Sequence, residues 1–422
     1  MTIPEDAEFI CVYGWDETLY EKALLDSRHF AFVSKKERVS FDPRIQIYHL
    51  ESPLQIEPFA KKIGWSSVLK KIAVVLFEKE GGAEFQKILE QCHLAASFLL
   101  SESADWGVEV MQNGISNGAP FRRGLGLKGA FKDIPALIVG AGPSLKKNGH
   151  LLKEFKNKGL IFAGGSALNA IDIEPHFAAS LDKEAPYRQF KMNPFAETPF
   201  CYQARMAPVN FSLLHGERLL FPDSFWKGIN WIYGEEPFES GWTVGNFLTA
   251  IAIHMGCSPI VFVGMDFCYE GGQKYGGVDT QGGESLISVG EYLTKKDWLL
   301  AAEWMRGKGI NATEGGMLSG PKIPLATLLE KWTTELDLKI RVHDAIQNLE
   351  LHTCCKRWGE WEMSLKRCQK KIDEDEIVYQ MLLLPLWEIW KPLIEREALG
   401  HDMKLHRHLF FQNILEAHGS LL

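Results

Sequence analysis

Several absences narrow the field. Lys and Arg number 46 against 54 Asp and Glu, so the formal net charge is −8. Proteins that bind duplex nucleic acid draw much of their affinity from phosphate neutralisation and carry a basic field. No such field exists here, so no nucleic-acid partner is expected. No apolar run approaches the roughly 20 residues that cross a bilayer, so no membrane span is expected. The N-terminus, MTIPEDAEF, lacks a basic stretch followed by an apolar one. The eight cysteines (Cys11, Cys92, Cys201, Cys257, Cys268, Cys354, Cys355 and Cys368) form no CxxC pair. Scattered thiols without a secretory signal point to a reducing compartment, and a cytoplasmic location is expected. There is no internal repeat and no low-complexity tract.

What remains is a long chain of ordinary folded composition. It has 422 residues, 46% of them hydrophobic and 24% charged. That length exceeds one hydrophobic core, so two or three domains are expected.

The pattern begins with short apolar runs. Phe9 to Tyr13, Phe30 to Ser34, Ile45 to Leu50 and Ile72 to Phe77 are separated by helix-length segments. That alternation predicts parallel strands with crossovers, a smaller Rossmann-like domain over 1–111. Residues 112–133 gather glycine and asparagine and predict a linker. Its Arg122 and Arg123 are expected to be a solvated pair. A core follows over 134–345. Ala136 to Gly140 (ALIVG), Leu160 to Ala163 and Phe177 to Leu181 are buried-strand patterns. From Trp242 to Met255 the apolar residues recur at helical spacing, and Gly256 sits where a helix ends. Pro259 to Val263 is a further strand. Residues 346–422 predict a helical region without strands. The fold class expected is α/β, with a Rossmann-like, mostly parallel core between a smaller N-terminal domain and a helical C-terminal region.

Four features could carry chemistry. Gly140, Ala141, Gly142, Pro143 and Ser144 form a turn directly after a strand. Glycines let the backbone approach a ligand, Ser144 is a candidate N-cap, and a helix N-terminus attracts anions. The turn is neither a P-loop nor a complete GxGxxG, and a tight βα connection explains it equally. Gly164, Gly165 and Ser166 repeat the arrangement after the next strand. Asp182 and Asp266 each follow a strand, where an Asp is most often a cap. Position gives the four a joint meaning. The carboxyl ends of parallel strands share one edge, and ligands bind there. Among the histidines, His401, His406 and His408 lie near the C-terminus without Cys or carboxylate partners at metal-ligand spacing. His176 and His254 read as structural or solvated.

Several of these stretches resemble one family. LKGAFKDIPALIVGAGPSL (Leu127 to Leu145), GGSALNAIDIEPHFAASLD (Gly164 to Asp182) and WTVGNFLTAIAIHMGCSPIVFVGMDFCYEGG (Trp242 to Gly272) are similar to the domain shared by motility-associated-factor (Maf-type) glycosyltransferases and the MptE-like 6-hydroxymethylpterin diphosphokinase. NATEGGMLSG (Asn311 to Gly320) resembles the segment that closes this domain in the transferases. GAGPSL and GMDF also resemble turns of bacterial sialyltransferases that bind CMP-sugars. The resemblance implies nucleotide binding by Gly140 to Ser144, by Gly164 to Ser166 and by Tyr269, with Asp182 and Asp266 as catalytic residues. It implies a nucleotide-sugar donor, a CMP-sugar above others, and a protein hydroxyl as acceptor, on a partner such as flagellin. Mg2+ held by Asp182 and Asp266 would accompany a diphosphokinase reading, the alternative. A degenerate binding module is a third. In the N-terminal domain, Ser34-Lys35 stands where the family often has an acidic residue, which leaves that domain without an expected nucleotide role.

Overall fold

Apolar runs of four to six residues become the central strands, and both faces of each are covered. The computed structural model describes residues 3–118, 120–182, 195–269, 273–275, 278–279, 286–353, 357–399 and 401–419. The chain forms two compact units, Met1–Gly107 with Ser364–Leu422, and Val108–Met363.

In the first unit, β1 (Phe9–Tyr13), β2 (His29–Ser34), β3 (Ile45–His49) and β4 (Ile72–Leu76) make a wholly parallel sheet in the order β3-β2-β1-β4. Every residue of β1 is buried, as the central strand of a sheet covered on both faces requires. The carboxyl edge of this sheet is tied up internally. Lys35 Nζ pairs with Glu78 at 2.8 Å, Arg38 lies over the Trp15 ring, and Ser34 Oγ donates to Lys36 O. The C-terminal helices belong to this unit. Helix Leu384–Ala398 packs on helix Ile56–Ser66. From it, buried Arg396 donates to Ser66 O at 2.8 Å and Val68 O at 2.7 Å.

The second unit holds a nine-stranded sheet. Its strands in chain order are β5 (Phe121–Arg123), β6 (Ala136–Val139), β7 (Leu160–Gly164), β8 (Phe177–Ser180), β9 (Phe200–Tyr202), β10 (Arg218–Leu220) and β11 (Ile260–Val263). There follow two hairpins, β12 (Gln273–Tyr275) with β13 (Val278–Asp279) and β14 (Ile287–Val289) with β15 (Tyr292–Thr294), then β16 (Ile310–Asn311) and β17 (Leu351–His352). The sheet order is β16-β11-β6-β7-β8-β9-β10-β5-β17, parallel except for β17. The chain therefore runs outward from β6 through β7 and β8, then returns to place β11 on the other side of β6. That reversal is a topological switch point, where the connections leaving two adjacent strands diverge and open a crevice. Helix Val244–His254 lies against β6, β7, β8 and β11. It buries Phe247, Leu248 and Ile251 there, each contributing roughly 1.5–3 kcal/mol.

Three expectations from the sequence differ from this structure. Residues 112–133 are not an exposed linker. They carry the end of helix Gly82–Ser116 and then β5, an internal strand of the large sheet. Two of its glycines serve close packing: a Cβ on Gly124 would run into the Phe221 ring, and one on Gly126 would lie 2.6 Å from Leu349 Cδ2. Arg122 is not solvated. It is buried, paired with Glu217 (Nε to Oε2, 3.0 Å), and donates to Leu349 O. The region 346–422 is not strand-free, because β17 adds to β5; from Ser364 onward it belongs to the first unit.

His176 is structural in a specific way. Its ring Nδ1 accepts the Ile161 N–H at 2.9 Å, and the His176 backbone N–H donates to Ile161 O at 2.8 Å. Burial, helped by Lys156, pushes its pKa down from 6.5 to about 4. The folded state thus favours the neutral ring. Between pH 6.5 and 4 the unfolded chain binds the proton that the folded chain refuses, so this stabilisation is complete above pH 6.5 and is lost as pH falls toward 4. The ceiling is roughly 3 kcal/mol at about 1.36 kcal/mol per unit. His176→Asn, whose side-chain oxygen can accept the same N–H, should flatten the acid limb of Tm against pH; an unchanged limb would assign the acid sensitivity to other groups.

Candidate functional site

The two strands that flank the switch point each end in glycine. Gly140 follows β6 and Gly264 follows β11, with Gly264 at φ +66°. The two turns are packed backbone to backbone. Gly140 N–H donates to Val263 O and Gly142 N–H to Gly264 O, each at 2.8 Å. A Cβ on Gly140 would meet Met265 Sδ at 2.8 Å, and one on Gly142 would meet Gly264 O at 2.7 Å and enter the carboxylate of Asp266.

Asp266 explains that crowding. It is buried, and its Oδ2 accepts both the backbone N–H of Ser144 at 3.0 Å and the Ser144 hydroxyl at 2.9 Å. Its carbonyl accepts the N–H of Met317 at 2.9 Å. From the far side Gly315 and Gly316 close over it: a Cβ on Gly315 would lie 3.1 Å from Oδ1, and Gly316 lies at φ +66° against the Asp266 backbone. Lys147 Nζ to Glu314 O (2.9 Å) and Asn148 Nδ2 to Ala312 O (2.7 Å) hold the same segment to the helical turn Leu145–Asn148. The expected N-cap is therefore reversed. Ser144 does not cap its own helix; its hydroxyl donates to a carboxylate delivered from another strand. The turn as a general anion cradle also needs correction. The N–H groups of Gly140, Gly142 and Ser144 are already bound within the protein, and Pro143 has none. Ala141 keeps an N–H without an acceptor among the described residues.

Above these turns lies a cleft of about 570 Å3. Gly140, Ala141, Gly142, Gly164, Gly165, Ser166, Asp182 and Asp266, all singled out in the sequence, line it together. Pro143, Ser144 and Tyr269 do not line it. Tyr269 stacks instead on Trp298 (centroids 5.3 Å apart), which does. Gly164 is another close approach, since a Cβ there would lie 2.8 Å from Ala179 O. Gly165, at φ +53°, donates to that same carbonyl at 3.0 Å. Asp182 is half-buried; its carbonyl accepts the Ala207 N–H at 2.9 Å.

Two walls escaped the sequence reading. One is the N-terminus of helix Val244–His254. Thr243 accepts from the Asn246 N–H, while the Asn246 side chain accepts from the Thr243 N–H at 3.2 Å. Thr243, Val244 and Gly245 face the cleft, so an 11-residue helix aims its partial positive end there. The Thr-x-x-Asn spacing was its available signal. The other wall is Lys295, Asp297 and Trp298, with the Lys295 ammonium 5.3 Å from the Trp298 ring centre. Hairpin β14–β15 brings it in: Tyr269 N–H donates to Leu293 O at 2.8 Å and Thr294 Oγ1 to Phe267 O at 2.6 Å. Nothing in the local pattern marks that hairpin as part of the site.

The site thus offers a helix dipole, a lysine, an available backbone N–H, an aromatic wall and carboxylates in one crevice. Such a set can hold a phosphorylated ligand and orient a hydroxyl beside it. A divalent ion on Asp182 and Asp266 fits less well, because one Asp266 oxygen already takes two donors and the whole group is packed under glycines.

Comparison with known proteins agrees with this architecture. Residues 117–272 match the family model described as 6-hydroxymethylpterin diphosphokinase MptE-like. The solved structure of a MAf glycosyltransferase from Magnetospirillum magneticum AMB-1 aligns with a TM-score of 0.57 and 16% identity, over 99% of this chain and 78% of that one. At that identity the likeness shows the fold. No curated protein matches the chain.

Proposed function

With its central segment an MptE-like domain, we propose that this chain is a transferase that binds a nucleotide-activated sugar in the switch-point cleft and passes the sugar to a hydroxyl group, on a protein such as flagellin. The convergence of Gly142, Gly165, Asp182 and the Thr243 helix start on one crevice carries the reading. Charge grows on the nucleotide phosphate as the glycosidic bond breaks. Preorganised dipoles aimed at that charge lower the barrier without reorganising. The start of helix Val244–His254, the Ala141 N–H and Lys295 are the groups suited to this. Asp182, half-buried and lining the cleft, is the carboxylate we assign to take the acceptor proton. The likeness of the turns after β6 and β11 to CMP-sugar sites makes a CMP-sugar the first donor to test.

Calorimetric titration of the folded protein with CMP-, CDP- and UDP-sugars tests the proposal. Saturable binding of one class, with the sugar released or transferred on incubation, is the expected result. Folded protein that binds none of them would end it. Diphosphate transfer from ATP to a pterin alcohol is the second reading, favoured by the family description of residues 117–272. It calls for Mg2+ clamped at the phosphates, and the engagement of Asp266 counts against it. ATP turnover that depends on added hydroxymethyl-dihydropterin would reverse the preference.

A further inference from the structure

A second cavity, of about 940 Å3, lies wholly within the first unit, between helix Trp358–Lys370 and helix Met403–Gly419. Its floor is apolar and aromatic: Tyr379, Phe411, Leu415 and the Cys368 side chain are buried there. Its rim carries Lys370, Lys371, Lys404 and Arg407, against Glu374 and Glu416.

Three observations point to a ligand. First, the rim lysines form no ion pair among the described residues. Glu374 is taken by the Tyr379 hydroxyl at 2.8 Å and faces Arg407 at 3.8 Å; neighbouring Glu376 is held by Arg367. Lys370, Lys371 and Lys404 lie within 4.0 Å of no carboxylate among the described residues. Four cations against two carboxylates, Glu374 and Glu416, leave the rim net positive in a chain whose net charge is −8, and such a local field attracts anions. Second, Arg407 is held for use. Its guanidinium lies over Tyr379 and Phe411, 5.9 and 5.2 Å from their ring centres, and donates to the Tyr379 hydroxyl, yet its buried Nε meets no acceptor among the described residues. Third, the chain departs from regular helix at this place. Tyr379–Leu383 is a π-helical turn, an irregularity that recurs at functional sites because it shifts side chains off the α-helical register. It carries Tyr379 onto the cavity floor.

From these we infer that the cavity is a second binding site, distinct from the cleft of the other unit, for a multiply charged oxyanion, phosphoryl or carboxyl. The lysines supply the charge. Arg407 supplies directed N–H donors, and the aromatic floor keeps the guanidinium in place.

Calorimetry with pyrophosphate and with citrate tests this on the full chain, comparing wild type with Lys370→Gln/Lys404→Gln. Both lysines are exposed, so the variant should keep the wild-type Tm. We expect at least one probe to bind and its affinity to fall about tenfold or more in the variant, by about 1.4 kcal/mol. Preference for pyrophosphate would identify a phosphoryl ligand and preference for citrate a carboxylate one; either supports the site. Lack of binding by both probes at about 10 mM, or binding that the variant leaves unchanged, overturns it.

Discussion

Gly142→Val should abolish ligand binding in the cleft and lower the melting temperature by several degrees. The cause is local. At Gly142 a Cβ would meet Gly264 O and Asp266 Cγ, both at 2.7 Å. Neither neighbour can retreat: Gly264 O accepts the Gly142 N–H, and the Asp266 carboxylate is held by Ser144 and covered by Gly315. Forcing side-chain carbons into such a site costs about 1–3 kcal/mol or more, or roughly 2–4 °C of Tm for each kcal/mol in a domain of this size. Binding should fall further than stability, because the turns after β6 and β11 must part and both line the cleft. Gly129→Ala, at φ +69° but with nothing near its Cβ, is the matched control; it should lose stability modestly and keep ligand affinity. A Gly142→Val protein that binds nucleotide sugar as wild type does would place the ligand elsewhere.

Why that glycine matters was only half legible in the sequence. Strand-turn-helix order placed Gly142, Gly165, Asp182 and Asp266 on one sheet edge, and all four line one cleft. That much follows from periodicity, since short buried runs separated by helix-length segments leave few parallel topologies. Local pattern is silent about which turn touches which. Whether Gly142 faces a phosphate or a buried carboxylate depends on β11 crossing to the far side of β6, a contact 122 residues apart. The same limit hid Lys295 and Trp298, which a hairpin outside the main sheet delivers. It also misread Arg122, whose partners Glu217 and Leu349 are remote in the chain. Composition misled at residues 112–133, where Gly124 and Gly126 serve close packing against Phe221 and Leu349 and Gly129 a turn at positive φ.

The two aspartates should separate cleanly under mutation. Asp266→Ala removes the acceptor of two Ser144 donors inside a buried site. Leaving a buried N–H and hydroxyl unsatisfied costs about 1–3 kcal/mol for each group, and bonds to a charged acceptor lie at the upper end. A drop of about 3–5 kcal/mol in unfolding free energy is expected, read by denaturant midpoint at unchanged m-value. Ser144→Ala removes only the hydroxyl donor and keeps the backbone one, so it should cost about 1–2 kcal/mol. Asp182 is half-buried at the cleft edge. Asp182→Asn should change stability by less than about 1 kcal/mol while cutting sugar transfer by about 10²-fold or more at near-normal donor affinity. The discriminating result is the crossing of the two profiles. If Asp266→Ala left stability intact and removed only turnover, Asp266 would return to the reacting centre and Asp182 would lose its place as the proton acceptor.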